Sequence, residues 1–257
     1  MIESYPTPHP LKNSRDVLIF EFENGEVMVV GCDSAGGIGP KPLDKVKVNG
    51  YTLGKFTARV ALMEVLSTGA KPICIVSALS VEPDPTGVEI TKGVKAEAKK
   101  ADLDPKLAVT GSSEKNVKTE QTGIGVTVIG LTKKESLRIG VSQPKDVVVA
   151  IGTPSVGDEV VFAEKKRKIA DMTDMLKLLK LEFIHEIIPV GSEGIGHEIE
   201  TLAKCSKLKF QLANQTKISV EKSAGPATVI LSSLPQSKLA ELECAVSKPI
   251  NIVGHLF

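Results

Sequence analysis

The sequence predicts a mixed fold of α-helices and β-strands (α+β) in two lobes. Two β-rich runs flank Asn24-Gly25 within residues 16–31 (DVLIFEFENGEVMVVG), the strongest short-range signal for a β-hairpin. Further along, apolar runs of strand length alternate with segments of helical spacing. A Gly/Ser/Pro/Lys stretch at 140–145 indicates a boundary, so we expect an N-terminal lobe over 1–139 and a C-terminal lobe over 140–257.

The individual elements follow from periodicity and from Gly and Pro positions. Residues 54–68 place apolar side chains at helical spacing, and Gly69 is a typical helix stop. Residues 72–81 are apolar and β-branched, as in a strand, and residues 85–101 predict a second helix that begins near a proline. The other predicted strands are 107–110, 122–131, 147–151, 186–190, 210–212, 216–220, 227–231 and 251–253, and the other predicted helices are 169–181 and 194–203.

The composition excludes several classes of protein. The chain has 257 residues and a formal net charge of +1, with 4% aromatic residues and no Trp, which argues against nucleic acid or an acidic membrane as a partner. Four Cys and four His are scattered, so the sequence predicts neither a disulfide framework nor a zinc site. The N-terminus does not resemble a signal peptide and no apolar run approaches the ~18 residues of a membrane helix. We therefore expect a cytoplasmic protein.

Four acidic residues lie at or near the ends of predicted elements: Asp33, Asp44, Glu64 and Glu114. Carboxylates from separate loops are a plausible way to build a Mg²⁺ site, because this ion prefers oxygen ligands and commonly bridges to phosphates. The alternative is that Asp33 and Asp44 only form turns and that Glu64 is a solvated helix charge. Isolated acids are common, and the pattern by itself favours this alternative.

Two glycine-containing segments are candidates for anion binding. Residues 33–41 (DSAGGIGPK) could bring backbone N–H groups close to a polyphosphate, although they form no Walker A motif and no helix follows directly. Residues 191–196 (GSEGIG) precede a predicted helix, where an anion or, more simply, a cap from Ser192 or Glu193 satisfies the free N–H groups. The basic run 165–168 (KKRK) is interpreted as a solvated helix entrance or a phosphate-side surface, and not as a nucleic-acid site.

Three segments, 30–38 (VGCDSAGGI), 54–72 (GKFTARVALMEVLSTGAKP) and 109–130 (VTGSSEKNVKTEQTGIGVTVIG), together resemble one superfamily in order and spacing. It is the aminoimidazole-ribonucleotide synthetase group, which also holds thiamine-monophosphate kinase, selenophosphate synthetase and a hydrogenase maturation factor. The resemblance implies a two-lobed fold whose first lobe forms a β-barrel with its copy in a homodimer. It also implies ATP and Mg²⁺ in the cleft between the lobes.

The resemblance implies roles for particular residues. Metal ligands are expected at Asp33, Asp44, Glu64 and Glu114, and phosphate contacts at Gly36, Gly37, Lys41, Gly111, Ser112 and Ser113. Lys55 matches a basic residue of the family that would counter transition-state charge, and Asp44 is the candidate general base. Cys32, Ala61 and Ser113 replace an acid, an Asn and an acid of the family pattern.

These expectations combine into one hypothesis and its rivals. The string DSAGGIGPKPLD followed by FTARVALMEVL is most similar to the α-ribazole kinase branch, so the hypothesis is an ATP- and Mg²⁺-dependent kinase that phosphorylates a hydroxyl, with α-ribazole, the lower-ligand nucleoside of cobalamin, as the favoured acceptor. The alternatives are a thiamine-monophosphate-kinase-like enzyme, an ATP-activated ligase of the same superfamily, and a non-catalytic nucleotide-binding regulator.

Overall fold

The computed structural model of the protein describes residues 8–11, 15–214 and 216–257. The strands in these residues are β1 (His9–Pro10), β2 (Val17–Glu21), β3 (Glu26–Gly36), β4 (Ile38–Gly39), β5 (Val46–Lys47), β6 (Lys71–Leu79), β7 (Val109–Ser113), β8 (Gly123–Lys133), β9 (Asp146–Gly152), β10 (Glu186–Pro189), β11 (Phe210–Leu212), β12 (Val229–Pro235) and β13 (Ile250–Leu256). The α-helices are α1 (Gly50–Ser67), α2 (Val88–Lys100), α3 (Pro105–Ala108), α4 (Glu159–Lys165), α5 (Met172–Lys180), α6 (Gly194–Ser206) and α7 (Leu239–Ala245).

Two sheets form the framework, and the predicted mixed α+β class is confirmed. The first sheet has the strand order β1-β2-β3-β8-β6-β7 and is antiparallel except for the parallel pair β6–β7. The second has the order β10-β12-β9-β13-β11 and is antiparallel throughout. The first sheet comes from residues before 134 and the second from residues after 145, so the chain builds one layer and then the other.

The predicted hairpin is present as the pair β2–β3, in which Glu21 lies opposite Val27. Gly25 has a φ of +78°, a conformation that glycine adopts without a steric penalty, and its N–H donates to the Phe22 carbonyl at 2.9 Å. Strand β3 extends to Gly36, further than the sequence indicates, because its last residues pair with β8 up to Gly123. Residues 33–36, predicted as part of a loop, therefore lie in an ordered ladder.

Helix α1 lies between the two sheets and joins their cores. Its side chains are buried on nearly every side, and it contacts β3, β8 and β10. Its contact with α2 is close because two glycines face the neighbouring backbone. A Cβ atom on Gly54 would lie 2.1 Å from the Ile90 carbonyl oxygen, and one on Gly93 would lie 2.1 Å from that of Tyr51. The apolar core is continuous from one lobe to the other through this helix.

Several predicted elements differ from the observed ones. The strand expected at 107–110 is β7, which runs to Ser113, and α3 occupies the preceding residues. Residues 216–220 form no strand, because this irregular segment packs on α6, where the Val220 carbonyl accepts from the Gly196 N–H at 2.8 Å. The basic run 165–168 leaves α4 instead of entering a helix. In the described residues no helix is long and apolar enough to span a membrane.

Candidate functional site

A cavity of about 650 Å³ lies between the two lobes. The first lobe contributes the end of β3, the segment around β4 and β5, and one face of α1. The second lobe contributes the residues at the start of α4 and two loops, 191–192 and 225–227. Clefts between lobes are common sites for small ligands, so this cavity is the candidate functional site.

The face of α1 that lines the cavity is set by helical geometry. Thr52, Phe56, Val60 and Glu64 are spaced four residues apart and all border the cavity. Twelve residues of helix rise about 18 Å, so this face runs the length of the site. Phe56 lies towards one end of it and Glu64 at the other.

Three carboxylates, Asp16, Asp33 and Glu64, line the end of the cavity near the last turns of α1, and we call them the cavity acids. Burial raises the pKa of Asp33 to about 6. Burial also raises the pKa of Glu64 to about 8; Arg15 opposes this shift, while the charges of Glu198, Asp16 and Asp33 add to it. Burial makes Asp33 and Glu64 costly to ionise, so a bound cation would stabilise their charged forms.

A second group of charges lies behind Phe56, and we call it the Arg59 cluster: Lys55, Arg59, Glu97 and Glu164. The buried Arg59 donates from Nε to Glu97 Oε1 at 2.8 Å and from Nη2 to Glu164 Oε1 at 3.0 Å. Lys55 Nζ donates to Glu164 Oε2 at 2.5 Å. Burial opposes ionisation of Glu164, but the hydrogen bonds and charges of Lys55 and Arg59 hold its pKa below the ordinary value. This cluster joins α1 and α2 to α4 of the second lobe.

The Arg59 cluster includes Lys55, whose predicted catalytic role stays a prediction. This lysine pairs with Glu164 and lies 4.9 Å from the Phe56 ring centroid, and it is not among the residues that border the cavity. Its charge is already compensated. The ion pair of Lys55 with Glu164 joins α1 to α4.

Asp44 is also assigned a different role by its contacts. Its Oδ2 accepts from the Lys41 N–H at 2.8 Å and from the Thr122 hydroxyl at 2.7 Å, and its Oδ1 accepts from the Thr122 N–H at 2.8 Å. The side chain is buried and does not border the cavity. Asp44 therefore holds the loop after β4 to the start of β8, and the metal and general-base roles of Asp44 stay predictions.

The glycine-containing segment 33–41 borders both the cavity and a shallower groove beside it. Gly36 borders both the cavity and a polar groove, defined by Gly36, Gly37, Lys45, Ser80, Thr119, Gln121, Thr122 and Gly123. Gly37 has a φ of +68° and belongs to the groove only. Lys41, predicted to contact phosphate, is instead ion-paired with Glu82, whose pKa falls to about 2 although burial opposes the shift.

Gly111, Ser112, Ser113 and Glu114 lie away from the cavity, in and just after the edge strand β7. Gly111 is required by packing, because a Cβ atom there would lie 2.3 Å from the Ser77 carbonyl oxygen. Hydrogen bonds from the Asn116 and Val117 N–H groups, at 2.6 and 3.1 Å, lower the pKa of Glu114 and close a turn. These four residues, predicted to contact phosphate or metal, therefore do not lie beside the cavity acids.

The expected convergence of four carboxylates is therefore not observed. Asp33 and Glu64 share the cavity, whereas Asp44 and Glu114 form structural hydrogen bonds elsewhere. Across the described residues, no group of three or more His, Cys, Asp or Glu side chains is close enough to hold a metal ion by itself. The donor set does fit Mg²⁺ in its common mode, with one or two carboxylates and the remaining positions filled by water and phosphate.

Sequence reasoning missed part of the site. Asp16 opens the hairpin and carries no motif, and it reaches the cavity only because β2 pairs beside Gly31. Gly191 and Ser192 also border the cavity, and the cap expected from Ser192 or Glu193 is not formed, since α6 begins without a side-chain cap. The glycine pattern before α6 was the one available signal for this side of the cleft.

Comparison with known proteins supports the fold. Residues 14–132 match the family model of the AIR synthase related protein, N-terminal domain. A chain of the HypE–HypF complex is similar in structure with a TM-score of 0.65 and 17% identity, over 94% of this chain and 87% of that one. AaThiL complexed with AMPPCP and TMP is similar with a TM-score of 0.65 and 15% identity, over 95% of this chain and 84% of that one. Thiamine-monophosphate kinase from Stenotrophomonas maltophilia K279a is similar with a TM-score of 0.63 and 16% identity, over 96% of this chain and 88% of that one.

No curated protein sequence matches this chain. The family match nevertheless identifies residues 14–132 as an AIR synthase-related N-terminal domain, as the sequence predicted, and the structural similarities show the same fold over nearly the whole chain. The branch within the superfamily and the β-barrel across a homodimer stay predictions.

Proposed function

We propose that the protein is an ATP-dependent small-molecule kinase that transfers a phosphoryl group to a hydroxyl. The observation that carries this proposal is the interlobe cavity in which Asp33 and Glu64 have raised pKa values. Such carboxylates are the ligands that a divalent cation carrying phosphates requires. Two structural relatives, AaThiL in complex with AMPPCP and TMP and a thiamine-monophosphate kinase, support the use of ATP.

Mg²⁺ would be held by Asp33 and Glu64, and would neutralise phosphate charge when bound. Asp16 lies at the same end of the cavity and is positioned to hold a water ligand of the ion. The backbone of Gly36 and Gly37 remains the candidate phosphate contact, because these residues lie where the cavity meets the polar groove. The proposal retains neither Lys41 nor Lys55 as a phosphate ligand, since both are paired with glutamates.

The favoured acceptor is α-ribazole, on the resemblance of residues 33–44 and 56–66 to that kinase branch. Thiamine monophosphate is the alternative acceptor, motivated by the structural relatives. An ATP-activated ligase would release free phosphate instead of a phosphorylated alcohol. The division into lobes at 139/140 and a cytoplasmic location remain part of the proposal, and the four free cysteines suit a reducing compartment.

The test measures ADP, free phosphate and phosphorylated product with ATP, Mg²⁺ and a panel that includes α-ribazole and thiamine monophosphate. We expect equal amounts of ADP and phosphorylated acceptor from the wild type, and loss of turnover in Asp33→Asn and Glu64→Gln. ADP with an equal amount of free phosphate in the presence of an amine or amide substrate would support the ligase. No turnover on any acceptor contradicts the kinase.

A non-catalytic nucleotide-binding protein is the second candidate, and a specific observation favours it. Cys32 and Ser113 stand where the family pattern has acids, and Cys32 is exposed on a strand while Ser113 lies at a sheet edge. Calorimetry with Mg²⁺·AMPPCP separates the two candidates when combined with the turnover assay. Nucleotide binding without turnover on the whole panel would favour the silent protein.

A homodimer is proposed from the outer face of the six-stranded sheet. Leu18, Ile73, Val76 and Leu131 are 61%, 48%, 38% and 39% exposed there. Exposed apolar side chains on a sheet are typical of an interface, and a second copy of the same face would cover them. Sedimentation velocity should give a dimer, and Ile73→Glu should shift it to a monomer.

A further inference from the structure

Residues 156–169, which include α4, leave the second lobe, contact the first lobe and return, and we call them the strap. Both ends of the strap are fixed at one buried residue of the second lobe, Thr228. The Ser155 N–H donates to Thr228 Oγ1 at 3.1 Å, and the Ala170 N–H donates to the Thr228 carbonyl at 2.9 Å. The strap is therefore a loop whose base is fixed on the second lobe.

The strap forms one wall of the cavity. Four of its residues border the cavity: Val156, Gly157, Val160 and Val161. A Cβ atom on Gly157 would lie 3.9 Å from Val46 of β5, so the start of the strap meets the first lobe beside the cavity. The strap therefore crosses from one lobe to the other along the cavity, and its displacement would widen the cleft.

The strap packs on the first lobe through a small apolar cluster that is separate from the continuous core. The members of this cluster are Phe56, Val160, Ala163 and Ile169. Helix α5, which follows the strap directly, instead contributes Met172, Met175 and Leu178 to the continuous core. An element with few buried apolar contacts opens at a lower free energy than the core does, so the strap can separate from the first lobe without unfolding of the rest.

One carboxylate, that of Glu164, makes the polar connection between the strap and the first lobe. Its Oε1 accepts from Arg59 Nη2 at 3.0 Å, and its Oε2 accepts from Lys55 Nζ at 2.5 Å. The other ion pair of the strap, between Glu159 and Lys222 at 2.6 Å, stays within the second lobe. In the described part of the chain, Glu164 is the one strap residue that forms an ion pair with the first lobe.

We propose that the strap is a gate of the cavity, which opens about its base at Thr228 when Glu164 leaves Lys55 and Arg59. The small cluster around Phe56 separates in the same step, while the continuous core of the two lobes stays packed. Opening and closing then control how fast a ligand enters and leaves the cavity. The gate belongs to the cavity whatever ligand it binds, and its effect on nucleotide exchange rests on the proposed function.

The first measurement is native-state hydrogen–deuterium exchange of the wild type without ligand. We expect the backbone amides of α4 to exchange through a local opening, at a lower free energy than those of α5 and β9, whose side chains belong to the continuous core. Equal opening free energies in the three elements overturn the proposal, because the strap would then open only when the whole protein unfolds.

Glu164→Gln should raise the exchange rate of the α4 amides about ten-fold or more, because hydrogen bonds to a charged group are lost. The control is Glu159→Gln, the same change in the same helix at a glutamate that pairs within the second lobe; it should alter that rate by less than about two-fold. Equal effects of the two variants overturn the proposal. If circular dichroism shows that Glu164→Gln is unfolded, Lys55→Gln removes one of its two partners and replaces it in the test.

Stopped-flow fluorescence with Mg²⁺·mant-ATP tests whether the opening controls access. In Glu164→Gln we expect the rates of association and dissociation to rise together, with the Kd within about two-fold of the wild type, because the gate changes access and not the contacts of the bound ligand. Unchanged rates in a variant with faster α4 exchange overturn the gate. Failure of Mg²⁺·mant-ATP to bind the wild type counts against the proposed function, and the exchange results then decide the gate by themselves.

Discussion

The cavity acids and the two glutamates of the Arg59 cluster lie on or against α1, and they differ in what surrounds them. In the Arg59 cluster, Glu97 and Glu164 each receive hydrogen bonds from a guanidinium nitrogen. Among the cavity acids, the pKa of Asp33 rises to about 6 and that of Glu64 to about 8, chiefly through burial. The carboxylates of the Arg59 cluster are satisfied within the fold, whereas the cavity acids are left in need of a cation.

This difference teaches how a structural carboxylate is distinguished from a functional one. Asp33 and Glu64 of the cavity acids are half-buried, and Glu97 and Glu164 of the Arg59 cluster are buried or half-buried. What separates the two pairs is the partner, because Glu97 and Glu164 accept hydrogen bonds from Arg59, whereas burial raises the pKa values of Asp33 and Glu64. The predictions below test that distinction, from the largest expected effect to the smallest.

Removing the cation of the Arg59 cluster should have the largest effect. Arg59→Leu leaves Glu97 buried without its main partner, so we expect the free energy of unfolding to fall by about 3–5 kcal/mol. Urea denaturation at pH 7 measures it. Lys100→Gln is the matched control, because Lys100 pairs with the same glutamate from a half-exposed position and should cost less than about 1 kcal/mol. Equal losses in both variants would show that the cluster is not held by Arg59.

Removing a cavity acid should have the opposite sign. The pKa of Glu64 is raised in the folded protein, so the wild type loses stability as pH rises from about 4.5 to about 8. Glu64→Gln avoids that loss and should be more stable at pH 9 by roughly 2–4 kcal/mol, with the difference fading below pH 4.5. Thermal unfolding at pH 4 and pH 9 checks this. A variant that is less stable at pH 9 would mean that Glu64 already has a satisfactory partner.

Asp44 provides an intermediate case, because it was predicted as a metal ligand and its observed hydrogen bonds hold a loop to the start of β8. Asp44→Asn presents an NH₂ group to backbone and hydroxyl donors and should cost about 1–3 kcal/mol. Mg²⁺·AMPPCP affinity should stay within two-fold of the wild type. A large loss of nucleotide affinity at unchanged stability would restore Asp44 to the metal site.

Glu114 should give the smallest change in the isolated chain. It is exposed to solvent at a turn, and Glu114→Gln keeps an oxygen that accepts from Asn116 and Val117. We expect the urea midpoint of unfolding to be unchanged, and unchanged Mg²⁺ affinity by calorimetry. Reduced Mg²⁺ affinity would show that the turn reaches a metal site in the assembled protein.

Much of the fold was predictable because local patterns carry it. The hairpin at Asn24-Gly25 and the strands around β6, β8 and β9 follow from β-branched runs and turn residues. Helix α4 was not predicted, because its seven residues are too few for a clear period and it is held by Phe56 and the Arg59 cluster. The segment 216–220 has strand-like residues, yet its hydrogen bond goes to α6. Both differences arise from tertiary contacts that override local propensity.

The sequence by itself determined the class of fold and the family of the first lobe, and two of its four predicted metal carboxylates, Asp33 and Glu64, border the cavity, since strand ends and helix faces follow from short-range periodicity. Only the tertiary structure decided which charges are free to bind. Pairing of Lys55 with Glu164 joins residues 109 positions apart, and the bond between Asp44 and Thr122 joins residues 78 apart. Ionisation depends on such long-range neighbours and on burial, and neither can be read from the spacing of residues along the chain.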